Sequence, residues 1–210
     1  MLDLLPIAAA VFGIPQYLPQ ILKLRRTGDT AGVSWSWATL TSVDNAAWFG
    51  YFMASGYWTA SLPSTAATVL AGTVSVMLVR RGAVNRRAIG WICGWAGLLV
   101  IATVLGGRIG LGTLLAAASI VQVTPSLWTA YRTDRPTGIS QGTWALVFGE
   151  LSCWFVFGLW KTDARLITLG VTGVVASLLM LARARRAGVA SKYPERPGGD
   201  TRRVAGCSFR

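Results

Sequence analysis

The chain has 210 residues, of which 53% are hydrophobic and only 13% are charged. Together with a mean hydropathy of +0.50, this composition is too apolar for the surface of a water-soluble protein and is typical of an integral membrane protein. The formal net charge is +12, and the chain contains no histidine. Histidine-dependent catalysis and metal binding through imidazole are therefore excluded.

Seven nearly uncharged stretches are each long enough to cross about 30 Å of hydrocarbon as an α-helix. They lie near residues 4–23, 35–54, 60–79, 88–107, 109–130, 142–160 and 165–182. The sequence therefore predicts an all-α integral membrane protein with seven transmembrane helices. The first stretch has neither a basic leader nor a small-residue cleavage site, so we expect it to be a span rather than a signal peptide.

The first stretch is interrupted by two proline–glutamine pairs, Pro15-Gln16 and Pro19-Gln20. Proline has no N–H and leaves the carbonyl four residues earlier without its helical partner, so Pro19 predicts a hinge in the helix. In lipid the freed carbonyl needs another donor. The amides of Gln16 and Gln20 are predicted to supply one or to line a polar cavity. A static kink is the alternative to a hinge.

The second stretch contains an acid, Asp44, four residues before Trp48. This spacing places both side chains on one face of a helix. An ionised carboxylate within a span opposes insertion by about 2.5–3.5 kcal/mol, which favours a position inside the protein. Asp44 is therefore a candidate to accept hydrogen bonds from a solute, to carry a proton or to neutralise a cationic solute; a purely structural role is the alternative. The adjacent Asn45 is a further candidate contact.

The fifth to seventh stretches repeat the first to third at a constant offset of 106 residues. The positions of Gln16, Pro19, Asp44 and Trp48 are occupied in the second repeat by Gln122, Pro125, Glu150 and Trp154. Pro125 therefore predicts a second hinge, and Glu150 a second acid that shares a helix face with a tryptophan. Gln122 is likewise a second amide for the hinge or the cavity.

The two repeats need the same orientation in the membrane. Each holds three spans, and each carries its basic residues after the first and the third span. An extra crossing must separate them, and the fourth stretch, between Arg87 and Arg108, supplies it. The sequence thus predicts two parallel triple-helix bundles joined by a linker helix, a 3+1+3 arrangement.

The predicted units follow from this arrangement. They are a first bundle at residues 1–84, a linker helix at 85–107, a second bundle at 108–186 and a disordered basic tail at 187–210. Every basic residue except Arg108, Lys161 and Arg165 falls on one side of the predicted membrane. The positive-inside rule then places the N-terminus outside and the C-terminus in the cytoplasm, and we expect a plasma-membrane protein. The positive charge reports topology in a lipid bilayer and does not indicate a nucleic-acid partner.

The loop after the first stretch carries a recognisable motif. Pro19-Gln20, the basic residues that follow, and Gly32-Val33-Ser34 at the start of the second helix resemble the PQ-loop signature. The 3+1+3 arrangement resembles the SWEET transporters, whose bacterial relatives, the SemiSWEETs, carry one bundle per chain. The resemblance implies that a small solute, most often a sugar, crosses the membrane by alternating access.

The resemblance also implies roles for individual residues. Pro19 and Pro125 occupy the hinge positions, and Trp48 and Trp154 occupy the position of a tryptophan that contacts the substrate. A tryptophan face suits a pyranose because its C–H face stacks on the ring. The sugar-binding asparagine of the family falls on Ser64 in the first repeat, and its position in the second repeat carries Gly170.

Two other functions stay open from the sequence. PQ-loop proteins similar to cystinosin move amino acids with protons, and Asp44 and Glu150 could serve such a transporter. A non-transporting membrane receptor or scaffold with the same fold is the other alternative. An enzyme is not expected, because no metal-ligand set, phosphate loop or nucleophile–base pair is present, and no cofactor is predicted. The three cysteines lie too far apart for a metal site or a disulfide framework, and assembly into a homo-oligomer stays open.

Overall fold

The computed structural model describes residues 2–28, 30, 33–132 and 140–192, and this part of the chain contains helices and no strand. The α-helices are α1 (Leu5–Gly13), α2 (Leu18–Thr27), α3 (Trp35–Ala54), α4 (Trp58–Arg80), α5 (Arg86–Arg132), α6 (Gln141–Lys161) and α7 (Ala164–Lys192). The prediction of an all-α fold is confirmed for these residues.

Within the described residues, five helical segments are long and apolar enough to cross a membrane. They are Leu2–Thr27, Trp58–Arg80, Arg86–Arg132, Gln141–Lys161 and Ala164–Arg185. These segments support a multi-pass membrane protein. The number of spans differs from the predicted seven because α3 is not among the five and because α5 joins the predicted fourth and fifth spans into one segment. The seven-span count therefore stays a prediction.

The first membrane segment is a broken helix. α1 ends at Gly13, a 3-10 turn covers Ile14–Gln16, and α2 begins at Leu18. Pro19 lies in the first turn of α2, where the missing N–H costs no hydrogen bond. The break thus precedes Pro19 and includes Pro15. In the second repeat Pro125 lies within continuous helix, so the two predicted hinges differ in local structure.

The helices α3 and α6 begin in the same way. Ser34 caps α3, its hydroxyl accepting from the Trp37 N–H at 3.3 Å. Ser140, 106 residues later, caps α6 by accepting from the Thr143 N–H at 3.3 Å. A serine at this position satisfies one of the free N–H groups of the first helical turn. The duplicated serines of the motif are thus the start signals of two equivalent helices.

Helix α5 consists of two helical arms that meet at Gly107. Its 47 residues would extend about 70 Å if straight. Gly107 interrupts it with φ 56° and ψ −148°, a conformation that side chains oppose. A Cβ atom on Gly110 would lie 2.5 Å from the Ala102 carbonyl oxygen, although eight residues of straight helix would separate such positions by about 12 Å. The chain therefore turns back at Gly107, and residues 86–106 and 108–132 form separate arms.

Replacing Gly107 by alanine should destabilise the turn between the arms. We expect the free energy of unfolding to fall by about 1–3 kcal/mol, because this backbone conformation is open only to glycine. The neighbouring Gly106→Ala is the matched control, since Gly106 is helical and a Cβ atom there meets nothing within 4 Å. It should leave stability unchanged or raise it by up to about 1 kcal/mol. Denaturation in detergent, followed by circular dichroism, measures both. Equal stability of the two variants would contradict this account of the turn.

The helices of the two repeats pack in corresponding pairs. In the first repeat α4 packs against α1 and α3, and in the second α7 packs against α5 and α6. Between the repeats, α1 contacts α6 and α3 contacts α5. The main core cluster lies where these four helices meet and includes Tyr51, Phe52, Leu115, Trp154 and Phe157.

Helix α7 extends further than predicted. It continues to Lys192, whereas the second bundle was expected to end at residue 186 and to be followed by a disordered tail. The residues from 187 to 192 include alanines, which favour helix. Pro194 is the next proline in the chain, and a proline disfavours the helical conformation of the residue that precedes it. The rest of the predicted tail, residues 193–210, lies outside the described residues.

Candidate functional site

A cavity of about 180 Å³ lies between the two repeats. Residues from α1, α3, α4, α5, α6 and α7 line it. In another protein an apolar cavity of about 150 Å³ accepts benzene, so this space is of the size that holds one six-membered ring. Its lining mixes aromatic faces with hydroxyl, amide and carboxyl groups, as small-molecule sites do.

The structure brings most of the predicted site residues to this cavity. Asp44, Asn45, Trp48, Ser64, Gln122, Glu150 and Trp154 all line it. The hinge candidates Pro19 and Pro125 do not; both are exposed on the helices that carry them. Gln20 does not line the cavity either, and its Oε1 is buried without a hydrogen-bond partner among the described residues.

Asp44 accepts a hydrogen bond on each carboxyl oxygen. The indole Nε1 of Trp95 donates to Oδ1 at 2.6 Å, and the amide Nε2 of Gln122 donates to Oδ2 at 2.6 Å. Trp95 belongs to the first arm of α5 and Gln122 to the second arm. The acid of the first repeat is thus held by the predicted linker and by the second repeat together.

Glu150 has the corresponding environment in the second repeat. The amide Nε2 of Gln16 donates to its Oε2 at 2.9 Å and also lies 3.4 Å from the Phe12 carbonyl oxygen. The 3-10 turn frees that carbonyl, so Gln16 serves both the break in the helix and the acid. Gly13 leaves room for the carboxyl group, because a Cβ atom there would lie 2.8 Å from Glu150 Oε1.

These two contacts are equivalent under the sequence repeat. Gln16 and Gln122 differ by 106 positions, as do Asp44 and Glu150. Each amide reaches across to the acid of the other repeat. The two hydrogen bonds therefore join the repeats at the level of the cavity, an arrangement that the sequence could not reveal because it shows only which positions correspond.

The two predicted tryptophans lie on either side of a phenylalanine. The Phe52 ring stacks on Trp154 with centroids 5.1 Å apart and planes at 5°, and on Trp48 at 5.6 Å and 25°. One face of each indole is thus covered by Phe52, and a pyranose could not lie sandwiched between the two tryptophans. Both indoles still line the cavity beside this stack.

Sequence reasoning missed several residues of the site. Phe52, Tyr17 and Pro63 line the cavity, and Trp95 contacts Asp44 from outside the repeats. Phe52 follows Trp48 by four positions. The spacing that places Asp44 and Trp48 on one face of the helix therefore also places Phe52 there. Trp95 gave no such signal, since its position next to Asp44 depends on the path of the linker.

One end of the helix bundle carries contacts between the repeats. We call it the Asp163 end, after the residue in the turn between α6 and α7. The Tyr51 hydroxyl, near the end of α3, donates to Asp163 Oδ2. Asp163 Oδ1 accepts from the Arg165 N–H at 3.1 Å and lies 3.8 Å from its guanidinium Nη1. Gly112 makes room, since a Cβ atom there would lie 2.4 Å from the Tyr51 ring.

Two further groups lie at the Asp163 end. Tyr57 is in the turn between α3 and α4, and burial together with the nearby Asp163 carboxylate raises the pKa of its hydroxyl. Lys161 at the end of α6 forms an ion pair with Asp3 at 3.1 Å. This ion pair joins the first residues of the chain to the second repeat.

At the opposite end, two hydrogen bonds between described residues each lie within one repeat. Arg81 donates to the Leu24 carbonyl oxygen at 2.6 Å, and Arg183 donates to the Ala130 carbonyl oxygen at 3.0 Å. Leu24 and Ala130 are equivalent positions, 106 residues apart. Each contact ties the third helix of a repeat to the first.

The cavity lining combines carboxyl, amide, hydroxyl and aromatic groups. No group of three or more His, Cys, Asp or Glu side chains in the part of the chain described here could hold a metal ion. No protein-family model matches this chain, and a search of curated proteins found no significant match. The function is therefore inferred from the site itself.

Proposed function

We propose that this protein is a membrane transporter that moves a small polar solute, of about the size of a monosaccharide, by alternating access. The observation that carries the proposal is the polar cavity between two repeats that hold each other through equivalent hydrogen bonds, Gln16 to Glu150 and Gln122 to Asp44. Polar and ionisable side chains within membrane segments are costly and typically mark a solute or ion pathway.

The proposed architecture is the 3+1+3 arrangement. The packing of α4 on α1 and α3 has its counterpart in α7 on α5 and α6, which supports two equivalent bundles. The first arm of α5 then serves as the linker helix and the second arm as the first helix of the second bundle. In such transporters the solute site lies at the interface of the repeats, near the middle of the bilayer. We place the N-terminus and the Asp163 end outside, in the plasma membrane, on the basis of the positive-inside rule.

The proposed mechanism uses the difference between the two ends. At the Asp163 end, Tyr51 and Asp163 join the repeats, and we propose that this end is the closed one. At the opposite end the hydrogen bonds from Arg81 and Arg183 hold each repeat together as a unit. The repeats rock as two such units, so that the Asp163 end opens when the other end closes. The broken first helix, at residues 14–17, is the flexible joint of the first unit.

Counterflow in proteoliposomes tests transport. Vesicles with the purified full-length chain are loaded with unlabelled glucose, glucosamine and alanine, and each labelled solute is added outside in turn. We expect at least one label to accumulate transiently above its equilibrium level, because a carrier exchanges solutes across the membrane. Protein-free vesicles are the control. Absence of counterflow for all three solutes would contradict the proposal and favour a receptor or scaffold.

A covalent link between the repeats tests alternating access. In a chain whose cysteines are replaced by alanine, Asp3→Cys and Lys161→Cys place two thiols where an ion pair of 3.1 Å now joins the repeats. A flexible bismaleimide should then stop counterflow, since the Asp163 end cannot open. Each single-cysteine variant, treated in the same way, should keep it. Undiminished counterflow in the cross-linked protein would rule out opening at this end.

A further inference from the structure

Among the residues that the structure describes, the cavity is lined by acidic groups and not by basic ones. Asp44 and Glu150 line it, and no described lysine or arginine does. The side chains that donate to the two carboxyl groups include Gln16, Trp95 and Gln122, and Trp154 also interacts with Glu150; all four are neutral. A buried carboxylate without a cationic partner is costly even when N–H groups reach it. A positively charged group on a bound solute would therefore supply the partner that the two carboxyl groups lack.

Ser64 gives an independent indication that a polar ligand fills the cavity. It lines the cavity and is only 3% exposed, yet its hydroxyl makes no hydrogen bond with any residue that the structure describes. The nearby Ser61 hydroxyl, in contrast, donates to the Trp58 carbonyl oxygen at 2.7 Å. The Ser64 oxygen is not among the enclosed side-chain atoms that lack a hydrogen-bond partner, so it is open to the cavity. A hydroxyl group of a bound solute would satisfy Ser64.

The aromatic side chains suit the same kind of solute. Tyr17, Trp48 and Trp154 line the cavity together with the carboxyl groups. Aromatic faces attract organic cations and also stack on the C–H face of a sugar ring. A positively charged group of a solute could thus contact both carboxylates and aromatic rings in this cavity.

We propose that the transported solute is a hydroxylated amine without an acid group, an amino sugar being the type that fits the cavity. Its ammonium group binds between Asp44 and Glu150, and one hydroxyl group binds Ser64. A carboxylate on the solute would meet two acidic groups and no basic one, so the cavity disfavours zwitterionic amino acids. The inference rests on the proposed transport function and names the substrate class of the same site.

Three sugars that differ at one ring position provide the test. Glucosamine, glucose and N-acetylglucosamine carry an ammonium, a hydroxyl and a neutral amide at the same carbon. Each competes, unlabelled, against counterflow of labelled glucosamine and of labelled glucose at about pH 6, below the pKa of such an amine. We expect glucosamine to compete about ten- to hundredfold better than glucose, the factor for one charged hydrogen bond. N-acetylglucosamine should compete no better than glucose.

Two charge-neutralising variants locate the preference. Asp44→Asn and Glu150→Gln keep the side-chain shape and remove the charge, so each should bring glucosamine to within about threefold of glucose, since the charged partner is lost. Asp3→Asn removes an acid that does not line the cavity and should keep the wild-type preference.

The outcomes separate the two proposals. Equal competition by glucose and glucosamine in the wild-type protein would overturn the amine proposal while leaving transport in place. The amine proposal would also be overturned if a pH gradient drives glucose uptake and glucosamine is not preferred. In that case the carboxyl groups bind protons instead of an ammonium group. Absence of counterflow for every sugar would overturn both. The competition between glucose and glucosamine in the wild-type protein tests the amine proposal even if a variant does not fold.

Discussion

Replacing Phe52 by alanine is expected to lower the free energy of unfolding by about 3–5 kcal/mol, the range for large-to-small changes at fully buried aromatic residues. Phe52 is 1% exposed and stacks on both Trp48 and Trp154. Its removal leaves a void between two rigid indoles that the neighbouring helices cannot easily fill. Because the void adjoins the cavity, the variant should also admit larger solutes. Denaturation in detergent measures the first effect, and competition in counterflow measures the second.

Phe49→Ala is the matched control for this change. Phe49 is on the same helix, three residues earlier, but is 38% exposed. The Phe49→Ala variant should lose about 1 kcal/mol or less of its free energy of unfolding, because the Phe49 side chain is not packed into the core. If the two variants are equally stable, the stack of Phe52 between the tryptophans does not hold the repeats together.

Replacing Gly170 by asparagine should destabilise the protein by about 3 kcal/mol or more. The resemblance to the SWEET family would place a sugar-binding asparagine here. In the structure α6 and α7 touch at this point, and a Cβ atom on Gly170 would lie 2.5 Å from the Phe155 Cα. A backbone atom cannot move aside as a flexible side chain can, so the two helices would have to separate.

Gly50→Ala is the control for a helical glycine, because a Cβ atom at Gly50 meets nothing within 4 Å. It should be neutral or stabilising by up to about 1 kcal/mol, since alanine favours helix over glycine. Thermal unfolding in detergent compares the two variants. A stable Gly170→Asn variant that gains sugar binding would instead show that the two helices separate readily and that the family site can be restored.

The sequence by itself determined the helical class, the membrane character and the candidate residues. Apolar stretches of membrane-spanning length predict helices because no water is available to satisfy an open backbone. The offset of 106 shows that Asp44 corresponds to Glu150 and that Gln16 corresponds to Gln122, without any knowledge of their contacts. Such correspondences are visible because an acid or an amide within a span is rare.

Only the tertiary structure decided how these residues meet. The sequence shows that Gln16 and Gln122 are equivalent, but the packing of α1 on α6 and of α3 on α5 makes each donate to the acid of the other repeat. Trp95 reaches Asp44 because the chain turns back at Gly107, a backbone conformation that local propensity does not reveal. Contacts between residues distant in sequence depend on how whole helices pack, and no local pattern encodes that geometry.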